Sequence, residues 1–384
     1  MSLLSQDTQA ILLLCARLGQ RDESLKPLTA RQYTVIEKWL NESSLRPGDL
    51  LHTGGRERLS ELSSNDVPQD AIEKLLDRGA ALGLMVERWT SQGLWIVSRG
   101  DSAYPTRYGR YLQHAAPPVL YGVGEKALLQ GGGLAVAGSR DASEEDLSFS
   151  ERVGSACARQ KIPVISGAAK GVDTAAMMAA LNDGGCAVGV LAEGLGRAAL
   201  AGQYHDAIMD SHLALISAYE PESPWRTFAA MERNKLIFGL ADAAIVGAAS
   251  DGQGGTWAGA VEALKRGQIP VFVKASGELA GGNRKLLQTG AREFPEAAWS
   301  DLSLLSQSEA IVQPLFEQRT APTDMPALSL DVSSTSQIGN GSKHSKAPRK
   351  PKSKKSAKAS AEAPLSLFPR EPEIGENLER KGSR

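Results

Sequence analysis

Over residues 1–95 apolar side chains recur every three or four positions, as at Tyr33, Ile36 and Leu40. That spacing puts them on one helical face and predicts helices over 8–18, 29–40 and 69–82. From Gly133 the pattern changes. Short unbroken apolar runs appear instead: LAVAG (134–138), IPVIS (162–166), CAVGVLA (186–192), LALIS (213–217), AAIVGA (243–248) and PVFV (270–273). Helical segments are expected between them, over 143–159, 172–181, 225–240 and 257–266. Strands without a polar face are strands covered on both sides, and their alternation with helices predicts a parallel sheet. The expected fold class is α/β. A Rossmann-like parallel-sheet domain would follow a small N-terminal helical domain and precede a disordered C-terminal tail.

The boundaries follow the same shifts in pattern. Residues 1–95 read as the N-terminal helical domain. Residues 96–130 read as a connector packing on the core. LWIVSR (94–99) leads into it as a short strand, and the turn-rich 104–124 follows, with prolines at 105, 117 and 118. The Rossmann-like core is expected over 131–305. From about 320 the chain turns to Ser, Thr, Pro, Gly and Lys. Such a stretch can bury little apolar surface, so 320–384 reads as a disordered basic tail.

Composition narrows the function classes. Across 384 residues 42% are hydrophobic and 23% charged, with a formal net charge of -1. The whole chain is therefore no general polyanion binder. Its basic charge is concentrated at the end: Thr320 to Arg384 holds 12 Lys+Arg against 7 Asp+Glu. The three cysteines form no CxxC pair and the five histidines are scattered. This predicts a reducing, cytoplasmic setting, with no structural zinc and no cofactor. ILLLCA near the N-terminus lacks a basic leading segment and is flanked by Asp7, Gln9 and Arg17. It reads as an amphipathic helix, and no run reaches the roughly 18 apolar residues of a membrane span.

Three loops carry the candidate chemistry. Gly138-Ser139-Arg140 ends the first core strand. SGAAKGVD, from Ser166 through Gly167, Lys170 and Gly171 to Asp173, opens a helix. DGQGGTWAGA, with Gly254, Gly255 and Thr256, opens another. All lie past the C-terminal ends of predicted strands, where α/β sheets bind their ligands. Small residues let backbone N–H groups approach an anion, and a helix N-terminus adds partial positive charge. One such loop is also how an ordinary helix starts. Three at one edge, two of them with a cation (Arg140, Lys170), point to a phosphate site. Arg233-Asn234-Lys235 adds charge on a helix, where the alternative is a solvated face. No GxGxxG follows the first strand and no GxxxxGK[ST] occurs, which argues against a dinucleotide coenzyme and a P-loop ATPase. No nucleophile-base pair is legible, so no catalysis is expected.

In this order the motifs resemble the DNA-processing protein A family, DprA or Smf. The resemblance rests on GSR at 138–140, SGxAxGxD at 166–173, SAYEP at 217–221, RNK at 233–235 and the Gly-rich helix start. YP at 104–105 and PPVLYGVG at 117–124 fit the segment before that family's core. It covers about 100–275 and implies a non-enzymatic, single-stranded-DNA-binding protein. Such a protein protects exposed strands, helps load a RecA-type recombinase and forms a homodimer. The implied phosphate site comprises Gly138, Ser139, Arg140, Ser166, Gly167, Lys170, Arg233, Asn234 and Lys235. The sequence departs from the family at TAAMMAAL after Asp173, where members carry Ala-His. Lys235 replaces a second arginine, GGTWAGA stands in the place of a GSLIT-like loop, and a tail stands where many members have a winged helix. A rival on the same fold is a nucleotide-derivative sensor or nucleosidase, with phage defence as one setting. The Lonely Guy-like branch needs a glutamate three residues after the loop threonine; here that position is Gly259, and the nearest glutamate is Glu262.

The tail holds two further features. KHSKAPRKPKSKKSAK (343–358) has eight Lys+Arg and no acid. It is either a solubilising linker or a sequence-independent phosphate attractor. PLSLFP (364–369) is an apolar island in which Leu365, Leu367 and Phe368 form a candidate docking motif. It resembles the QLSLF-type peptide of sliding-clamp partners, with Pro364 in place of the glutamine.

Overall fold

The computed structural model of the chain describes residues 4–19, 25–62, 66–198 and 202–307. The tail calls, including Leu365, Leu367 and Phe368, lie outside the described residues. A nine-stranded sheet runs through the molecule. Its strands are β1 (Trp95–Ser98), β2 (Val119–Gly124), β3 (Leu134–Ala137), β4 (Val164–Ser166), β5 (Ala187–Leu191), β6 (Leu213–Ser217), β7 (Ala243–Val246), β8 (Val271–Val273) and β9 (Arg292–Glu293). Their order is β1-β2-β6-β5-β4-β3-β7-β8-β9. The pairs from β6 to β9 are parallel, and β1 and β2 join antiparallel.

The unbroken apolar runs have a direct reason. Along β3, Leu134 and Val136 face one hydrophobic cluster while Ala135 and Ala137 face the other. Neighbouring strands alternate in the same way: Val188 and Val190 of β5 lie on the second side, Leu213 and Leu215 of β6 on the first. Each buried Val or Leu contributes about 1.5–3 kcal/mol from either face. The helices Glu144–Arg159 and Val172–Asn182 cover the first side, through Phe149, Val153, Ala176 and Met177. The helices Thr227–Leu240 and Gly254–Arg266 cover the second, through Ile237, Phe238, Ala260 and Ala263.

The N-terminal helices pack on the first side. Ile11, Leu12 and Trp89 belong to the cluster that contains Tyr121 of β2, and the Trp89 and Tyr121 rings meet edge to face at 5.2 Å. The single helix expected over 69–82 is two, Gln69–Leu76 and Gly79–Ser91. Arg78 makes the break. It is buried, and its guanidinium donates to the carbonyls of Leu75 and Leu13, so it takes up a carbonyl that a continuing helix would need. The turn-rich 104–124 also carries regular structure. Pro105 stands immediately before the helix Thr106–Leu112, and Pro117-Pro118 immediately before β2.

This order places the functional edge. The chain builds outward from β3 through β4, β5 and β6, then returns to the other side of β3 with β7. The connections after β3 and β7 therefore leave in opposite directions, and a crevice opens between them, the usual ligand position in open α/β sheets.

Candidate functional site

A cavity of about 330 Å³ occupies that crevice. The loop after β3 forms one wall, with Gly138, Ser139 and Arg140. The loop after β7 forms another, with Gln253, Gly254, Gly255 and Thr256. Arg233, Asn234 and Trp225 close it from the helix Thr227–Leu240 and the segment before it. The walls are tied together. Ser139 N–H donates to Ala248 O at 2.8 Å, Thr256 Oγ1 to Gly138 O at 3.0 Å, and Val172 N–H to Ser139 O at 3.3 Å.

Helix ends set the local field. The helices Val172–Asn182, Thr227–Leu240 and Gly254–Arg266 all begin beside this cavity, and none has a side-chain cap. The first N–H groups of Thr227–Leu240 and Gly254–Arg266 stay open to an anion, whereas in Val172–Asn182 the N–H groups of Val172 and Thr174 donate to Ser139 O and Ala169 O. The helix after β3 differs. Ser143 and Asp146 close it with a capping box, and Lys274 Nζ meets Asp146 at 2.7 Å and Glu145 at 3.2 Å. Its N-terminus is satisfied by its own acids.

Two arginines supply full charge in different ways. Arg140 is exposed and lies over the Trp225 ring at 5.2 Å. Arg233 is 5% exposed; Nη1 donates to Val190 O at 3.0 Å and faces Asp173 Oδ2 at 3.7 Å, while Nε has no hydrogen-bond partner among the described residues. Asp173 in turn accepts from Gly138 N–H at 3.1 Å. Burial pushes the Asp173 carboxyl above its ordinary value, against the pull of Arg233 and of the Gly138 and Gly167 N–H groups. Burial likewise lowers Arg233, against the pull of Asp173.

The remaining residues fall into three groups. Ser166 is a strut: it is fully buried, and its hydroxyl donates to Val136 O at 2.5 Å. Gly167 and Gly171 make room. A Cβ on Gly167 would lie 1.2 Å from Arg233 Nη1, and one on Gly171, whose φ is +94°, would lie 2.2 Å from Ser139 O. Lys170 is exposed and lines flanking hollows with Arg140. Lys235 does not line the cavity; its Nζ pairs with Glu232 at 3.0 Å and Glu262 at 3.6 Å.

Sequence reasoning passed over Asp173 and Trp225. The acid of SGxAxGxD and the arginine of RNK were a signal for one buried pair. A tryptophan between Pro224 and the RNK helix was a signal for an aromatic rim. Met231 lines the cavity with it and is 45% exposed.

A family model described as DNA recombination-mediator protein A matches residues 95–301. The chain belongs to that family. The DNA processing protein DprA of Streptococcus pneumoniae (strain ATCC BAA-255 / R6) is 32% identical over 196 residues, 50% of this chain and 68% of that protein. The DNA processing protein DprA of Bacillus subtilis (strain 168) is 29% identical over 219 residues, 55% of this chain and 70% of that protein. The X-ray structure of the Streptococcus pneumoniae DprA matches with a TM-score of 0.60 at 22% identity, covering 78% of this chain and 98% of that one. The shared fold is this Rossmann-like sheet, and the role that goes with the family is DNA processing. No helix among the described residues is long and apolar enough to cross a membrane.

Proposed function

We propose that this DprA-family chain binds single-stranded DNA, with a backbone phosphate seated in the switch-point cavity. The observation that carries the reading is the convergence there of two open helix N-termini, those of Thr227–Leu240 and Gly254–Arg266, with Arg140, Arg233 and Trp225. Open N–H groups and guanidinium suit a phosphate oxygen. An exposed indole suits an unpaired base, whose π-face is free only when the strand is single. Arg140 makes the direct contact, with Lys170 beside it. Arg233, tied to Asp173, sets the field beneath. Gly254, Gly255 and Thr256 supply backbone N–H groups, and Gly138 and Ser139, whose N–H groups are bonded to Asp173 and Ala248, shape the wall.

The reading extends to protecting exposed strands and assisting a RecA-type recombinase, as a homodimer. It includes no chemical step. Gly259 stands where a nucleosidase on this fold would need its glutamate, and the nearest one, Glu262, pairs with Arg266 at 2.7 Å and Lys235 at 3.6 Å, which supports binding over catalysis.

The test is an electrophoretic shift with single-stranded DNA, duplex DNA and RNA over a salt series. Single strands should bind best. Arg140→Ala and Lys170→Ala should each lower the slope of log affinity on log salt by about 0.7, one phosphate contact on a single strand. Wild-type binding by both variants would remove the assignment. Release of free base from nucleoside monophosphates, lost in Glu262→Ala, would establish the nucleosidase instead.

A further inference from the structure

A second cavity, of about 500 Å³, lies next to the first. The loop after β5 and the loop after β6 form its floor, and the end of the helix Gly79–Ser91 forms its outer side. The floor is preformed. Gly194 N–H donates to Ser223 O at 2.8 Å and Gly196 N–H to Pro221 O at 3.0 Å. A Cβ on Gly194 would stand 2.2 Å from Pro221 O, so the loops meet backbone to backbone. Trp225 lines both cavities and is the wall they share.

The two cavities differ in charge. The first is ringed by arginine and helix N-termini. The second is lined by Glu193 and Glu222 with one cation, Arg88. Glu222 is occupied: it accepts from Trp89 Nε1 at 3.1 and 3.2 Å and faces Arg88 Nε at 3.4 Å. Glu193 is held through its backbone, whose carbonyl accepts from Ser217 Oγ at 2.7 Å. Its carboxylate makes no hydrogen bond or ion pair among the described residues. With Arg88 paired to Glu222, the cavity offers a phosphate no free cation among the described residues. A flat neutral group with N–H donors needs none.

We propose that this cavity is a base subsite selective for guanine, filled by a nucleotide whose phosphate lies at Arg140 and whose base packs against Trp225. It rests on the single-stranded-DNA reading above. The choice of base follows from the acceptor. A carboxylate only accepts, and it accepts two donors side by side. Guanine presents N1–H and N2–H₂ as adjacent donors. Adenine and cytosine place an acceptor ring nitrogen beside their amino group, and thymine flanks its single N–H with two carbonyls. Glu193 therefore selects guanine by two hydrogen bonds and rejects the others by facing at least one lone pair.

The experiment compares an oligo-dT with an oligomer of equal length carrying isolated guanines, by fluorescence anisotropy at fixed salt. Wild-type protein should bind the guanine oligomer about tenfold tighter, within the range a bidentate base contact gives. Glu193→Gln should abolish the ratio. The ratio is the readout, because losing a negative charge raises both affinities alike. Equal affinities in the wild type, or a ratio kept in Glu193→Gln, would overturn the proposal. Failure of the DNA reading looks different: neither oligomer binds. Titration with dGMP and dAMP followed by NMR then decides alone. Selective dGMP binding lost in Glu193→Gln supports the subsite, and no such binding removes it.

Discussion

At the scale of single residues, the two arginines of the cavity should behave in opposite ways. Arg140 is exposed and touches only the Trp225 ring among the named partners. Its removal should weaken binding and leave the melting temperature unchanged. Arg233 is buried against Asp173. Arg233→Met leaves a carboxylate without its partner, a defect of about 3–5 kcal/mol in buried pairs. Its pH dependence is fixed in sign. The folded-state value of Asp173 already lies above its ordinary value, and losing Arg233 raises it further. A raised carboxyl contributes stability below its unfolded value and loses it as pH rises through the folded value. Thermal melts should therefore show the Arg233→Met deficit growing from pH 4 to pH 7. Asp173→Asn in the same chain should flatten that slope. A deficit that shrinks with rising pH would show that the pair is not what holds this loop.

At the scale of elements, Gly167→Ala and Ser143→Ala separate the site from its scaffold. The Gly167 Cβ would enter the Arg233 guanidinium, so the loop or the arginine must shift. We expect a loss of about 1–3 kcal/mol in denaturant unfolding, as for overpacked cores, with weaker DNA binding. Ser143 caps the helix whose N-terminus is satisfied by its own acids. Ser143→Ala should lose about 1 kcal/mol of stability and no binding. The same contrast explains what was legible beforehand. The strands β3 to β8 were readable because burial on both faces leaves them apolar except for the terminal Ser166 and Ser217. The helix 143–159 was readable because Ser143 and Asp146 announce its start. The break at Arg78 was not, because its cause is a carbonyl of Leu13 far away in sequence. β2 was missed because two prolines disguise a strand entry as a turn. In the site, local glycine and cation spacing revealed the loops. The partnership of Asp173 with Arg233, and the diversion of Lys235 to Glu262, depend on tertiary distances that no local spacing encodes.

At the scale of the whole molecule, binding should divide between the folded edge and the basic tail. Residues 343–358 carry eight Lys+Arg and no acid. Removing 320–384 should leave the melting temperature nearly unchanged, because the sequence offers few apolar side chains to bury. It should weaken DNA affinity at low salt, where clustered cations act over a longer range, and have less effect at high salt. The apolar island calls for a separate measurement. Leu367→Ala with Phe368→Ala removes two side chains able to fill a partner's pocket, where buried hot-spot residues contribute about 2 kcal/mol or more each. No charge is lost, so oligo-dT affinity should stay at the wild-type value across the salt series. Binding to purified sliding clamp, measured by surface plasmon resonance on the full-length chain, should fall at least tenfold. An unchanged clamp affinity, or none in the wild type, would leave the island as spacer and place all recognition on the sheet edge and the basic run.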